Sequence, residues 1–362
     1  MKYYLACPIV FLLLFLTSCG DDPKEIDLTD IDYNPIPVVV EGPPKYPGLN
    51  IPTDNPLTEA GIHLGRSLFY DPILSIDNSI SCASCHKQEA SFTDELAFSL
   101  GVDDKEGRRS SMNLVDVGYS FTPLFWDGRA ETLEDQALLP VEDPNEMAHT
   151  WEEIIKDFQT HANYPRLFRA AFGIENSSQI TKELAAKSIA QFERTLVSSG
   201  NSKYDQVLKG QDVFTDEEAM GFDIYFDRSF DLPDGQCFHC HSAPQFTDYQ
   251  FHNNGLDVAE VPSDFPDFGR GEATGIPAQN GTFKTPTLRN IALTAPYMHD
   301  GRFSTLEEVM DHYISGGHPS FNKSPLLDSI NLNSVHRNAV LAFLHTLTDE
   351  DFVNNEAYSD PN

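Results

Sequence analysis

The sequence predicts a mostly helical protein of two related halves, with long loops and little strand. Three observations carry that prediction. The stretch "SCASCHKQEASFTD" (81–94) recurs, flanks included, as "QCFHCHSAPQFTD" (236–248). A second pair, "LFWDGRAETLEDQ" (124–136) and "YMHDGRFSTLEEV" (297–309), keeps Asp-Gly-Arg and Thr-Leu-Glu in step. Where apolar residues show a period at all, it is helical: Leu184, Ala185, Ile189, Phe192 and Leu196 fall at helical spacing within 180–197, and "NSVHRNAVLAFLHTL" repeats the pattern near the end. The chain of 362 residues, 40% apolar, has room for a substantial core, and its 24 prolines speak for many loops. A net charge of −32 leaves no basic stripe to neutralise phosphates and excludes nucleic acid as a partner.

In chain order, residues 1–18 read as a signal peptide. Lys2 is followed by an uncharged stretch from Tyr3 to Ser18, too short to span a bilayer comfortably. Leu16-Thr17-Ser18-Cys19 resembles a bacterial lipobox, in which Cys19 is acylated and becomes the first mature residue. The expectation is an exported bacterial lipoprotein, facing the periplasm or anchored to the outer membrane, that meets the membrane only through its lipid. Residues 19–50 are acidic and proline-rich, without helical or strand period, and read as an extended tether. Two domains are expected over 51–200 and 201–350, followed by a tail over 351–362.

Six cysteines are then accounted for. Cys7 leaves with the signal peptide and Cys19 carries lipid, which leaves Cys82, Cys85, Cys237 and Cys240. Four cysteines in an exported chain can form two disulfides. Here, however, both pairs have Cys-x-x-Cys spacing with a histidine directly after, the attachment pattern of c-type haem. Two thiols one helical turn apart add across the two vinyl groups, and His86 or His241 is thereby placed under the iron. A structural zinc would take the four thiols and leave both histidines without a role. Two covalently bound haems c are therefore expected. In each half Thr precedes an acid by three residues, Thr132 with Asp135 and Thr305 with Glu308, a helix-capping signature. Each half thus reads as an attachment turn, a loop, and a tight Asp-Gly turn feeding a helix. The insert at 257–280 is Gly- and Pro-rich and reads as loop.

The two attachment sites, together with "FWDGRAETLEDQALLPVEDPNEM" (125–147) and "TPTLRNIALTAPYMHDGRFSTLEEV" (285–309), resemble the bacterial dihaem cytochrome c peroxidases and their relative MauG, from about Leu57 to Leu347. The resemblance implies two cytochrome-c-like domains with haems facing across their interface. It implies a peroxide site at the first haem, with His86 as proximal ligand and Glu146, twenty residues beyond Trp126, as acid and base. Trp126 would relay electrons between the haems. The second haem, on His241, would be six-coordinate. Where the peroxidases place a Met on its far side, this chain has Tyr313, as MauG does, with Met298 and Met310 nearby but out of step. A phenolate favours ferric and higher states, whereas Met raises the potential.

Many peroxidases carry a blocking histidine in the loop after the first attachment site. The loop 87–112 has none, which implies a site open without reductive activation. An interhaem calcium would take backbone oxygens of Thr294 and Pro296, with the expected Asn falling near Ser110 or Ser111. The implied enzyme reduces hydrogen peroxide with electrons from a small c-type cytochrome or other redox protein. The alternatives are MauG-like oxidation of a partner protein's side chains and a non-catalytic dihaem carrier or sensor.

Overall fold

The computed structural model describes residues 25–361. Residues 1–18, expected to be a signal peptide, and Cys19 lie outside them. Among the described residues no helix is long and apolar enough to cross a membrane. Among the described residues the chain is mostly helical, with one two-stranded ribbon.

The first half opens with α1 (Glu59–Tyr70). The Thr58 hydroxyl caps it by accepting from the Gly61 N–H, and its apolar face buries Leu64, Leu68 and Phe69 completely. A single turn, α2 (Cys82–Cys85), carries the first thiol pair. Then follow α3 (Leu133–Glu142), α4 (Trp151–Thr160), α5 (Tyr164–Phe172) and α6 (Lys182–Glu193). The helix expected within 180–197 is α6. It stops before Leu196 because the Asp116 carboxylate takes the Ser198 N–H and hydroxyl, turning the chain away.

The second half repeats this plan. After the short α7 (Lys203–Leu208), α8 (Asp216–Tyr225) starts in a reciprocal cap between Thr215 and Glu218. Two-residue strands, β1 (Phe251–His252) and β2 (Phe283–Lys284), pair antiparallel with Phe251 opposite Lys284. The insert between them is loop punctuated by single turns, the longest being α9 (Arg270–Thr274). Next come α10 (Leu306–Ile314), α11 (Ser334–His345) and α12 (Glu350–Val353). Thr132 caps α3 and Thr305 caps α10, as the sequence predicts. The two Asp-Gly turns are closed by matching bridges, Leu124 with Ala130 and Tyr297 with Phe303.

In each half the first and last long helices cross at a glycine. A methyl group on Gly65 of α1 would lie 1.8 Å from the Ser188 carbonyl oxygen of α6. On Gly221 of α8 it would lie 1.9 Å from the Ala339 carbonyl oxygen of α11. Backbone contact of this kind is open only to a residue without Cβ. It sets the cradle beneath each thiol pair.

Residues 25–50 depart from the tether expectation: they are extended, but docked. Leu28 is buried in the first core, Val38 donates to Leu57 O, and the Tyr46 hydroxyl donates to Asp116 at 2.8 Å. Docking lets this strap bury apolar side chains without a period of its own. The tail departs as well. Phe352, Val353 and Tyr358 pack with Phe69, Phe92 and Phe192 of the first half, so the end of the chain closes the core of its beginning.

Candidate haem sites and the seam between them

His86 and His241 are held the same way. The His86 N–H donates to Cys82 O at 2.9 Å, and its Nδ1–H donates to the Phe92 carbonyl at 2.8 Å. The His241 N–H likewise donates to Cys237 O at 2.9 Å, and its Nδ1 lies 3.1 Å from both the Phe246 and Pro286 carbonyls. A ring whose Nδ1–H is spent on a carbonyl offers Nε2 to a metal, the usual arrangement of metal-bound histidine. Burial also lowers the proton affinity of both rings, which favours the neutral, ligating form. All four cysteines are free thiols, and burial raises the pKa of Cys85 to about 11 and of Cys237 to about 12. Among the described residues the two thiol pairs do not converge on one point, which removes the four-cysteine zinc reading. Paired thiols beside a carbonyl-held neutral histidine, twice over, fit haem.

A cavity of about 480 Å³ opens above His86, within the range of small-molecule and cofactor sites. His86, Cys85, Trp126, Glu146 and Lys284 are among its walls. Glu146 follows α3 in a loop fixed by two backbone bonds: its N–H donates to Asp143 O at 3.0 Å, and Val102 N–H donates to its carbonyl at 2.9 Å. Burial first, and then Asp143, push its carboxyl up to about 7, against the pull of Arg129. An acid poised there both takes and returns a proton at neutral pH. Gln136 and Pro140 of α3 line the same cavity, and sequence reasoning missed both. A proline inside a helix, four residues after a glutamine on the same face, was the available signal.

Trp126 is half-buried on the seam. Its indole N–H donates to Ser110 O at 2.9 Å, and its own carbonyl accepts from Lys284 N–H at 2.8 Å. Ser110 in turn reaches the second half, through its N–H to His299 O and its hydroxyl to Met298 O, both at 2.8 Å. Thr294 and Pro296 lie on the segment leading into the second Asp-Gly turn, and the Thr294 hydroxyl donates to Ile291 O at 3.2 Å.

Tyr313 sits on α10 beside the second thiol pair. Burial raises its phenol to about 12, with Cys240 and Cys237 adding to the effect. The Asn254 amide reaches both the Tyr313 hydroxyl at 3.5 Å and the Met298 sulfur at 3.4 Å. Tyr313 and Met298 are thus brought together, whereas Met310 is packed into the apolar core of the second half.

Two histidine centres in matched helical cradles, one facing an acid-lined cavity, define a two-haem oxidoreductase. A family model described as di-haem cytochrome c peroxidase matches residues 59–213. The methylamine utilization protein MauG of Methylorubrum extorquens is 37% identical over 303 residues, covering 83% of this chain and 81% of that protein. The cytochrome c551 peroxidase of Nitrosomonas europaea is 34% identical over 288 residues, covering 79% of each. Among solved structures, a MauG-like protein associated with microbial copper homeostasis superposes with a TM-score of 0.80 at 37% identity, covering 88% of this chain and 98% of that one. The diheme peroxidase of Burkholderia thailandensis, at 21% identity and a TM-score of 0.68 over 90% of this chain and 99% of its own, shares the fold. The chain belongs to the di-haem cytochrome c peroxidase and MauG family, a family of two-haem oxidoreductases.

Proposed function

We propose that the protein reduces hydrogen peroxide in the His86 cavity, with electrons drawn through a second centre on His241 from a cytochrome c-type donor. Glu146 carries this reading: a carboxyl poised to exchange a proton at neutral pH shares a cofactor-sized cavity with a metal-ready histidine. Cys82 and Cys85, and Cys237 and Cys240, would bind the two haems covalently, and His86 would hold the haem whose iron would supply electrons for cleaving the peroxide bond. Glu146 takes the proton from the inner peroxide oxygen and returns it to the outer one, which leaves as water. Two electrons and two further protons per peroxide complete the second water. Trp126, fastened to both halves, is the electron relay. A non-catalytic carrier or sensor has no use for such an acid in an open cavity. Export as a lipoprotein through Cys19, a periplasmic location, and a calcium on Thr294 and Pro296 belong to the same proposal.

One observation favours a second reading. Tyr313 stands beside the second thiol pair, with its hydroxyl within reach of the Asn254 amide. A phenolate there would support MauG-like oxidation of a partner protein's side chains. Optical and EPR spectra of the two-haem ferric protein, before and after one equivalent of peroxide, test both readings. Peroxide is expected to change the spectra without prior reduction, and Tyr313→Met is expected to make that response depend on reduction. A protein inert to peroxide in both oxidation states refutes the peroxidase reading. A near-infrared Met-to-iron band that survives Tyr313→Phe refutes the Tyr313 reading alone.

A further inference from the structure

Lys284 of β2 is buried, with 6% of its surface exposed, in the wall of the His86 cavity. Its ammonium touches only neutral oxygens: Thr122 Oγ1 at 2.5 Å, Ser120 Oγ and the Pro123 carbonyl at 3.1 Å, and the Tyr249 carbonyl at 3.5 Å. The rings of Tyr249 and Phe251 lie 5.4 and 5.5 Å away. The charged groups around it are otherwise engaged. Asp248, the acid that favours its charge, is bonded to His252 at 2.7 Å, and Arg270, the nearest cation, donates to the Asp127 and Gly128 carbonyls. A half-buried cation of this wall, Arg109, has its carboxylates, Asp127 and Asp267. So a chain with 32 surplus negative charges buries one cation in a cofactor cavity without giving it an acid. A buried charge without a counter-charge is costly. Desolvation first, and then Arg270, accordingly bring its pKa down to about 7 against the pull of Asp248.

We infer that Lys284 is the buried counter-cation for a propionate of the haem seated in the His86 cavity. The anion completes the site, and the pair ties that haem to the seam, because the same residue's N–H holds the Trp126 carbonyl. Lys284 is a positioning residue: it fixes one edge of the cofactor against the relay and adds a positive charge that favours the reduced iron. The inference rests on the two-haem reading, and the experiment keeps the two apart.

Haem content of the wild-type protein is measured first, and fewer than two haems per chain would defeat the two-haem reading itself. Spectroelectrochemical titration then compares wild type, Lys284→Gln and Lys284→Arg. In Lys284→Gln one midpoint potential is expected to fall while the other stays, and in Lys284→Arg both are expected to stay near wild type. Unmoved potentials in a two-haem Lys284→Gln protein overturn the inference. So does a Lys284→Arg shift as large as that of Lys284→Gln, since a neutral clamp would respond to shape and not to charge. Should Lys284→Gln lose haem, redox-difference infrared spectra decide, on wild type and Lys284→Arg with ¹³C-labelled propionates. The labelled carboxylate band is expected to move between the two proteins, and a band that stays in place overturns the inference.

Discussion

The two halves share a frame and part after the capped start of α3 and α10. Both cross their long helices at a glycine, Gly65 against Ser188 and Gly221 against Ala339. Both hold the histidine after the thiol pair by its Nδ1, and both run from an Asp-Gly turn into a threonine-capped helix. Beyond that helix start they differ. In the first half the chain leaves α3 and sets Glu146 into an open cavity. In the second half α10 places Tyr313 close to the thiol pair, where it shares Asn254 with Met298. The duplicated scaffold therefore decides where a cofactor sits. The two centres differ in the side chain each holds nearby, a carboxyl pushed up to about 7 in the first and a buried phenol in the second.

The largest break in this comparison comes from the thiols. Cys237→Ala with Cys240→Ala is expected to leave one covalent haem per chain, and Cys82→Ala with Cys85→Ala is expected to leave the other. Haemochrome assay of the denatured protein counts them. Haem that extracts fully into acidic organic solvent from the wild type would remove covalent attachment.

Glu146→Gln comes next. It keeps the shape and removes the base, so peroxide turnover is expected to fall by roughly 10²–10⁴-fold with both haem spectra unchanged. The sign of the pH effect follows from burial. A carboxyl pushed up to about 7 is protonated below that pH and cannot act as the base. Wild-type turnover should therefore decline as pH falls through about 7, and the variant should lose that limb. A variant turning over within about threefold of wild type leaves Glu146 without a role. The same change in the second half has no counterpart, since Tyr313 offers no proton in that range.

The smallest effect sharpens the comparison of the frames. Thr132→Ala and Thr305→Ala are each expected to cost about 1 kcal/mol, read from the midpoint of urea unfolding. The surrounding acids should differ. Glu308 also accepts from the Ser304 and Thr305 N–H groups, so Glu308→Ala is expected to cost more than Asp135→Ala, whose carboxylate meets the Thr132 hydroxyl.

Much of the frame was legible because it is written in short spacings. Cys-x-x-Cys-His, the threonine caps and the period of α6 each concern residues within a few turns of one another, and local geometry settles such patterns. Mostly helical architecture in two matched halves follows from them, whereas Glu146 was marked out only by the resemblance to the di-haem peroxidases. The pairing of partners distant in sequence was not legible. Nothing in residues 25–50 announces that Leu28 enters the first core, or that Phe352 returns to pack on Phe92. Lys284 reads as one lysine in a strand-like stretch until the fold carries Ser120, Thr122 and Tyr249 around it. Gln136 became part of the site when α3 turned that face to the cavity. The sequence by itself determined which chemistry the chain carries, because each motif brings its reacting atoms together within one turn. The tertiary structure alone decided which of those groups are buried, and burial is what moves a carboxyl to neutral pH or leaves a lysine without an acid.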